Sequence, residues 1–133
     1  MNDPSKLLCI NTRNGIELID LTQVVYLRAD GNYTMFVTAD GKSKTHLSTL
    51  ARFEEEINAL AERSGGGGER SAFFRVSRSY LVNTDYVSGV SLSTQSISFF
   101  ADSVKPLFIS KKLLKVLQNY IYDCYCKRLG REE

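Results

Sequence analysis

The sequence predicts a mostly β domain of antiparallel strands, with one short helix in the middle of the chain and a second helix at its C-terminal end. Three observations carry this prediction. Short runs rich in β-branched and aromatic residues alternate with turn residues, Asn-Gly and Asp-Gly pairs stand between such runs, and helical apolar spacing occurs only twice. With 133 residues, 43% hydrophobic and 24% charged, the chain has the size and composition of a single globular domain spanning residues 1–133.

The N-terminal part is predicted to form strands joined by tight turns. Asn14-Gly15 tolerates the positive φ angles of a type I′ hairpin turn, and Asp40-Gly41 offers a second tight hairpin. Asp30-Gly31 separates two further β-rich runs. The predicted strands are Leu7–Thr12, Ile16–Ile19, Val24–Arg28, Tyr33–Ala39 and Lys42–Leu47.

A helix follows these strands. Ser48 or Thr49 can cap it, and its apolar residues recur at spacings of three and four, opposite the acidic run Glu54–Glu56. The four glycines of Gly65–Gly68 lose too much chain entropy to continue a regular element, so we expect a mobile loop over residues 64–70. The apolar stripe consists of Leu50, Phe53, Ile57 and Leu60.

The C-terminal half is predicted to contain four more β segments and a closing helix over residues 111–128. Leu117, Ile121 and Cys124 lie on the apolar side of that helix and suit either the domain's own core or, with Tyr120, Tyr122 and Tyr125, a partner surface. The sequence leaves both open. The β segments are Phe73–Asn83, Tyr86–Leu92, Ile97–Ala101 and Val104–Ile109.

Charge is distributed unevenly along the chain. Residues 1–69 carry seven Lys or Arg against ten Asp or Glu, whereas residues 70–128 carry nine against three. The second half therefore offers either a basic face that attracts phosphate or a set of scattered surface cations.

The inventory of catalytic and metal-binding residues is thin. His46 is the only histidine, and we interpret it as a solvated strand residue. Glu54–Glu56 are adjacent on a helix and face no common substrate, while Gly65–Gly68 lacks the Lys-Ser/Thr of a phosphate loop. Cys9, Cys124 and Cys126 are expected to be free thiols whose spacing does not converge on a metal. We therefore predict no enzyme activity, no metal and no cofactor.

No apolar run approaches the length of a bilayer span, and Met1–Ile10 lacks the pattern of a secretion signal. We expect a cytoplasmic protein that does not associate with a membrane.

One strand-like segment contains a residue that does not fit a strand. In a continuous strand Arg78 would share a face with Phe74, Val76 and Tyr80, which would place its guanidinium in an apolar layer. We therefore expect the chain to bend around Ser77–Ser79 and to present Arg78 at the end of the sheet, flanked by hydroxyls that suit phosphate oxygens. Arg75 points away from the apolar residues and either joins the same edge or pairs with an acidic neighbour.

A second irregularity lies at the start of the closing helix. Lys111 and Lys112 occupy its first turn, although the helix dipole there favours anions. Together with the Ser110 hydroxyl and unpaired amides they would form a site for DNA phosphate or a base edge, unless they are simply exposed lysines at a frayed end.

The order of these motifs, over about residues 7–117, resembles the LytTR DNA-binding domain of bacterial response regulators, the LytR/AlgR type of two-component system. The matching segments are Val25-Tyr26-Leu27, Gly31-Asn32-Tyr33, Thr38-Ala39-Asp40-Gly41, Leu47-Ser48-Thr49-Leu50, Phe74–Asn83 and Ile109-Ser110-Lys111.

The resemblance implies an elongated antiparallel β fold of LytTR type whose loops enter successive major grooves of double-stranded DNA, in a transcription regulator that acts by sequence-specific binding. By position, Asn32, Tyr33 and Thr34 belong to a first contact loop, and Ser110, Lys111 and Lys112 to a third. Arg78 and Ser79 belong to the second, with Arg75 and Ser77 beside them. The family commonly has histidine where Ser77 stands, so any contact made by that imidazole is absent here.

Several partners follow from the resemblance. Family members often occupy repeated half-sites as dimers, so a second copy of the chain is a candidate partner. A sensor kinase enters only if the chain is part of a longer regulator, because 133 residues leave no room for a receiver domain. The alternative function is a protein-interaction module that has kept the fold and lost its DNA contacts.

Overall fold

The computed structural model describes residues 6–64 and 71–127. Its strands are β1 (Leu7–Thr12), β2 (Gly15–Asp20), β3 (Val24–Asp30), β4 (Tyr33–Thr38), β5 (Ser43–Leu47), β6 (Phe73–Arg75), β7 (Tyr80–Asn83), β8 (Val87–Ser91), β9 (Ser96–Phe99) and β10 (Leu107–Phe108). The helices are α1 (Leu50–Ser64) and α2 (Lys111–Tyr122), and a π-helical turn (Asp123–Lys127) follows α2. The predicted mostly β, antiparallel fold with two helices is confirmed. The predicted Gly-rich loop lies, after Ser64, outside the described residues.

A five-stranded antiparallel sheet in the order β5-β4-β3-β7-β6 forms the centre of the molecule. β3 is its middle strand, pairing with β4 from Asp30↔Tyr33 inward and with β7 through Leu27↔Leu81. Because successive side chains of a strand point to opposite faces, β3, β4, β6 and β7 each contribute to two separate cores. The sheet is therefore covered on both faces.

One face of the sheet packs against α1 and the β1–β2 hairpin. Leu27, Phe36 and Leu81 face this core, and α1 contributes Leu50, Phe53 and Ile57, all at most 3% exposed. Thr49 caps α1, since its hydroxyl accepts the Arg52 N–H at 3.2 Å. The predicted helix and its buried stripe are confirmed.

The first hairpin turn differs from the prediction. Thr12 pairs with Gly15, so the two turn residues are Arg13 and Asn14 rather than Asn14 and Gly15. Neither Arg13 nor Asn14 has a positive φ, and the turn is therefore not of type I′. The second predicted hairpin joins β4 to β5, with Gly41 at φ 85°.

The opposite face of the central sheet packs against α2 and a three-stranded sheet of order β10-β9-β8. Leu114 and Leu117 of α2 are fully buried there with Ile97 of β9 and Val82 of the central sheet. Tyr120, farther along α2, stacks on Phe74 with ring centroids 4.4 Å apart. The described part of α2 thus seals the domain's own core, one of the two roles that the sequence left open.

The long β segment predicted over Phe73–Asn83 is two strands. β6 ends at Arg75 and β7 begins at Tyr80, which confirms the bend expected around Ser77–Ser79. A short 3-10 turn, Thr84–Tyr86, follows β7, and the Asn83 side chain caps it by accepting the Asp85 N–H at 3.0 Å. The two strands hold the intervening loop at one edge of the sheet.

Candidate nucleic-acid interface

Two of the three predicted contact loops meet at one end of the central sheet. The β3–β4 turn and the β6–β7 loop are adjacent because β3 pairs with both β4 and β7. A backbone hydrogen bond of 2.8 Å from the Ala29 N–H to the Ser79 carbonyl ties the β6–β7 loop to β3, the strand that leads into the β3–β4 turn. We call this end of the sheet, made by residues 31–33 and 77–79, the rim.

The β3–β4 turn at the rim has only two residues, Gly31 and Asn32, because Asp30 pairs with Tyr33. Gly31 has φ 62° and Asn32 has no positive φ, the pattern of a type II′ turn with glycine at its first central position. Asn32 is exposed and the Tyr33 side chain is 48% exposed. Both side chains are therefore accessible at the end of a short, fixed hairpin.

Thr34 does not lie at the rim. Its side chain is fully buried on the α1 side of the sheet, and its hydroxyl donates to the Ser48 carbonyl at 2.9 Å. Thr34 therefore ties the β3–β4 hairpin to the start of α1 and has no surface to offer a ligand, contrary to its predicted place in the contact loop.

The β6–β7 loop is held by bonds within itself. Val76 and Ser77 both donate their N–H groups to the Tyr80 carbonyl, at 3.0 and 3.4 Å. The Ser77 hydroxyl accepts the Ser79 N–H at 3.1 Å, so this serine is engaged inside the loop. Arg78 and Ser79 are exposed at its end.

Arg75 supports this loop from below. Its guanidinium donates from Nε to the Ser77 carbonyl at 2.7 Å and from Nη2 to the Arg78 carbonyl at 3.0 Å. Nη1 pairs with the Glu54 carboxylate of α1 at 2.5 Å. The acidic partner that the sequence left as one alternative is therefore Glu54, and each guanidinium nitrogen already has a protein acceptor.

The third predicted contact segment is carried by the other sheet. Ser110 follows β10, and the preceding Ile109 N–H donates to the Gln95 carbonyl of the β8–β9 turn at 3.0 Å. Ser110 is the N-cap residue of α2 but makes no side-chain cap, and the first helical turn holds no acidic residue. Lys111 and Lys112 are exposed there, so uncapped amides and two cations face solvent together.

His46 differs from its interpretation as a solvated strand residue. It is 8% exposed and packs edge-on against Phe36, with ring centroids 5.3 Å apart. Its Nε2 is buried without a hydrogen-bond partner among the described residues, and burial lowers its pKa below the ordinary 6.5. The sequence of β5 carries no signal for this burial, which follows from the pairing of His46 with buried Thr34.

Two features of the site lay beyond the sequence. Glu54 is predictable as a helix residue, but nothing in the sequence joins it to Arg75, 21 positions away. Leu47 pairs in register with Tyr33 and is 69% exposed, which gives the rim an apolar neighbour.

Two further properties of residues 6–64 and 71–127 concern metal ligands and membrane spans. Their His, Cys, Asp and Glu side chains form no group of three that could hold a metal ion. Neither helix is long and apolar enough, over its described residues, to cross a bilayer.

The chain was compared with known families, curated proteins and solved structures. A LytTR family model, described as the LytTr DNA-binding domain, matches residues 14–122. The fold is similar to the LytTr DNA-binding domain of a methyl-accepting/DNA response regulator from Bacillus cereus, with a TM-score of 0.60 and 18% identity over 87% of this chain and 96% of that one. No curated protein matches. Since the family match covers most of the chain and includes both the rim and the start of α2, this protein belongs to the LytTr DNA-binding domain family.

Proposed function

We propose that this protein binds double-stranded DNA in a sequence-specific manner and regulates transcription in a bacterium. The observation that carries the proposal is the rim. Two predicted contact loops lie side by side there at one end of the central sheet, with Asn32, Arg78 and Ser79 exposed. Membership of a DNA-binding family supplies the class of ligand.

The rim suits contacts with base edges. Arg78 can donate two hydrogen bonds to guanine, Asn32 can pair with adenine, and each such pair is worth about 1–3 kcal/mol against the wrong base. Tyr33 and Leu47 add an apolar surface beside them, suited to a thymine methyl group. A two-residue turn and an internally bonded loop keep these groups in place.

The start of α2 suits phosphate. Lys111 and Lys112 are exposed, and the Ser110 hydroxyl and the first-turn amides are not used in a side-chain cap. Phosphate contacts of this kind fix the position of a protein on the duplex and add affinity for every sequence. We leave Thr34 and Arg75 out of the direct contacts, because one is buried and the other is engaged with protein acceptors.

The test is selection from a random duplex library by the purified protein, repeated at two salt concentrations. We expect a recurrent motif and a steep fall of affinity with salt. If a second copy binds beside the first, the motif will occur twice, about one helical turn apart. A steep fall of affinity with salt, without a recurrent motif, would mean that the protein binds DNA only through attraction to phosphates.

The second candidate is a protein-interaction module of the same fold. The observation in its favour lies at the three-stranded sheet, where Phe100, directly after β9, and Phe108 of β10 are 72% and 73% exposed. Absence of enrichment at either salt concentration would favour it over DNA binding.

A further inference from the structure

The Arg75 guanidinium joins three parts of the molecule. It contacts the Ser77 carbonyl, the Arg78 carbonyl and the Glu54 carboxylate, at 2.7, 3.0 and 2.5 Å. The Arg75 and Glu54 side chains are each 29% exposed, so the pair is partly shielded from solvent. The arrangement uses the planar fork of arginine, which lysine does not reproduce.

Glu54 lies on a helix, α1, whose position is fixed by its packing in the core. It follows Phe53 and precedes Ile57 on α1, and those two side chains are each 2% exposed in the core. A helix fixed by such a buried stripe cannot rotate to follow the loop. The position of the Glu54 carboxylate is thus set by the core, and Arg75 transfers it to the loop.

The two carbonyls that Arg75 contacts lie on either side of the Cα of Arg78, the residue proposed to contact a base. With the Ser77 and Arg78 carbonyls both directed at one guanidinium, the peptide groups on either side of the Arg78 Cα are oriented. The direction in which the exposed Arg78 side chain leaves the backbone follows from that orientation.

We propose that Arg75 and Glu54 are positioning residues that aim Arg78 at the bases without touching DNA themselves. This proposal rests on the proposed function. It accounts for an otherwise unfavourable feature, an acidic side chain close to an edge that is meant to approach phosphates.

The charge of Glu54 makes the test sharp, because two explanations predict opposite results. If Glu54 acts only through its charge, Glu54→Gln removes a repulsion and tightens binding to every duplex. If Glu54 holds the loop, the same change weakens binding to the preferred sequence while non-specific binding rises slightly. The matched control is Glu55→Gln, which removes the same charge from an exposed neighbour on α1.

The experiment measures affinity for the selected duplex and for a scrambled duplex of equal length, over a salt series. We expect Glu54→Gln to lower the ratio of specific to non-specific affinity about five- to tenfold, part of the discrimination carried by one arginine–guanine pair. Glu55→Gln should leave that ratio unchanged. If Glu54→Gln and Glu55→Gln show the same ratio of specific to non-specific affinity, the positioning role of Glu54 and Arg75 is overturned.

Arg75→Lys gives a second reading, because it keeps the charge and removes the fork. We expect the same loss of ratio as in Glu54→Gln, with an unchanged salt dependence, since no phosphate contact is lost. An unchanged ratio in Arg75→Lys, with a shallower salt dependence in Arg75→Ala, would instead make Arg75 a phosphate contact and contradict the proposal.

A readout without DNA separates this proposal from the function on which it rests. In the free protein, amide NMR shifts of Ser77, Arg78 and Ser79 should change in Glu54→Gln and not in Glu55→Gln, with the rest of α1 unaltered. Wild-type protein that shows no sequence preference overturns the proposed function and the aiming role together. A wild-type preference that Glu54→Gln leaves intact overturns the aiming role alone.

Discussion

The β6–β7 loop and the start of α2 both present exposed cations, yet they are supported in different ways. Arg78 lies on a loop in which the Arg75 guanidinium contacts two carbonyls, those of Ser77 and Arg78. Further hydrogen bonds within the loop join the Ser79 N–H to the Ser77 hydroxyl and the Ser77 N–H to the Tyr80 carbonyl. Lys111 and Lys112 stand on a helical turn without a side-chain cap. Base edges demand fixed donors, whereas phosphates accept a cation from many directions. Under the proposed function, the difference in support therefore suits the first region to specificity and the second to affinity.

The largest effect is expected where the start of α2 meets the core. Leu114 is fully buried one turn into the helix, so Leu114→Ala should lower the free energy of unfolding by about 2–5 kcal/mol. The control is Val116→Ala, at a position 53% exposed, where we expect a change within about 0.5 kcal/mol. Urea denaturation measures both. Equal costs would show that the core does not hold this end of α2, which would weaken the comparison.

The two regions are separated most directly by binding measurements on Arg78→Ala and Lys112→Ala. Arg78→Ala should cost about 1–3 kcal/mol on the preferred duplex and relax base preference at one position. Lys112→Ala should weaken all duplexes alike and reduce the salt slope by about one phosphate contact. Lys115→Ala, an exposed lysine farther along α2, is the control. Identical profiles for Arg78→Ala and Lys112→Ala would break the division of roles.

A smaller effect is expected from Ser110→Asp, which should improve the helix and harm the site. A carboxylate at the N-cap can accept the free first-turn amides and favours the helix dipole, for a gain of about 0.3–1 kcal/mol in stability. The same charge should repel phosphate and lower affinity for every duplex. Ser110→Ala should alter stability little, since the serine makes no side-chain cap. Thermal melts and salt-dependent binding check both, and unchanged affinity in Ser110→Asp would remove this turn from the interface.

The smallest effect concerns the β5 side of the rim, where His46 pairs with Thr34 of the β3–β4 hairpin. Burial lowers the pKa of His46 in the folded protein. Below about pH 6.5 this histidine therefore becomes protonated in the unfolded chain while it stays neutral in the folded protein. Stability should be fully present above that pH and decline as the pH falls toward the lowered folded-state pKa. Urea midpoints between pH 5 and 8 measure the slope, and His46→Gln should flatten it. A slope that survives in His46→Gln would place its source elsewhere.

The sequence allowed the strand–helix order, the α1 stripe and the bend before Arg78 to be predicted, because each depends on local spacing or on a charge that cannot sit in an apolar layer. The burial of Thr34 and His46 was missed for a different reason. Polar residues on a strand look solvated unless the pairing partner is known, and His46 is buried because it pairs with Thr34 and packs against the Phe36 ring. The Glu54–Arg75 contact was out of reach because it depends on where α1 crosses the sheet.

Under the proposed function, the two-residue turn at Gly31 and Asn32 constrains how the DNA preference of this protein could change. Strand pairing begins at once with Asp30↔Tyr33, so an inserted residue must either be absorbed by a longer turn of another type or shift the register, which turns every following side chain of β4 to the other face. Gly31 is also committed by its φ of 62°, a value that side chains with a Cβ rarely adopt. In the β3–β4 hairpin, a new DNA preference is therefore expected to arise through substitutions at Asn32 and Tyr33 on an unchanged backbone. Lineages of this domain should differ there in residue type far more than in length.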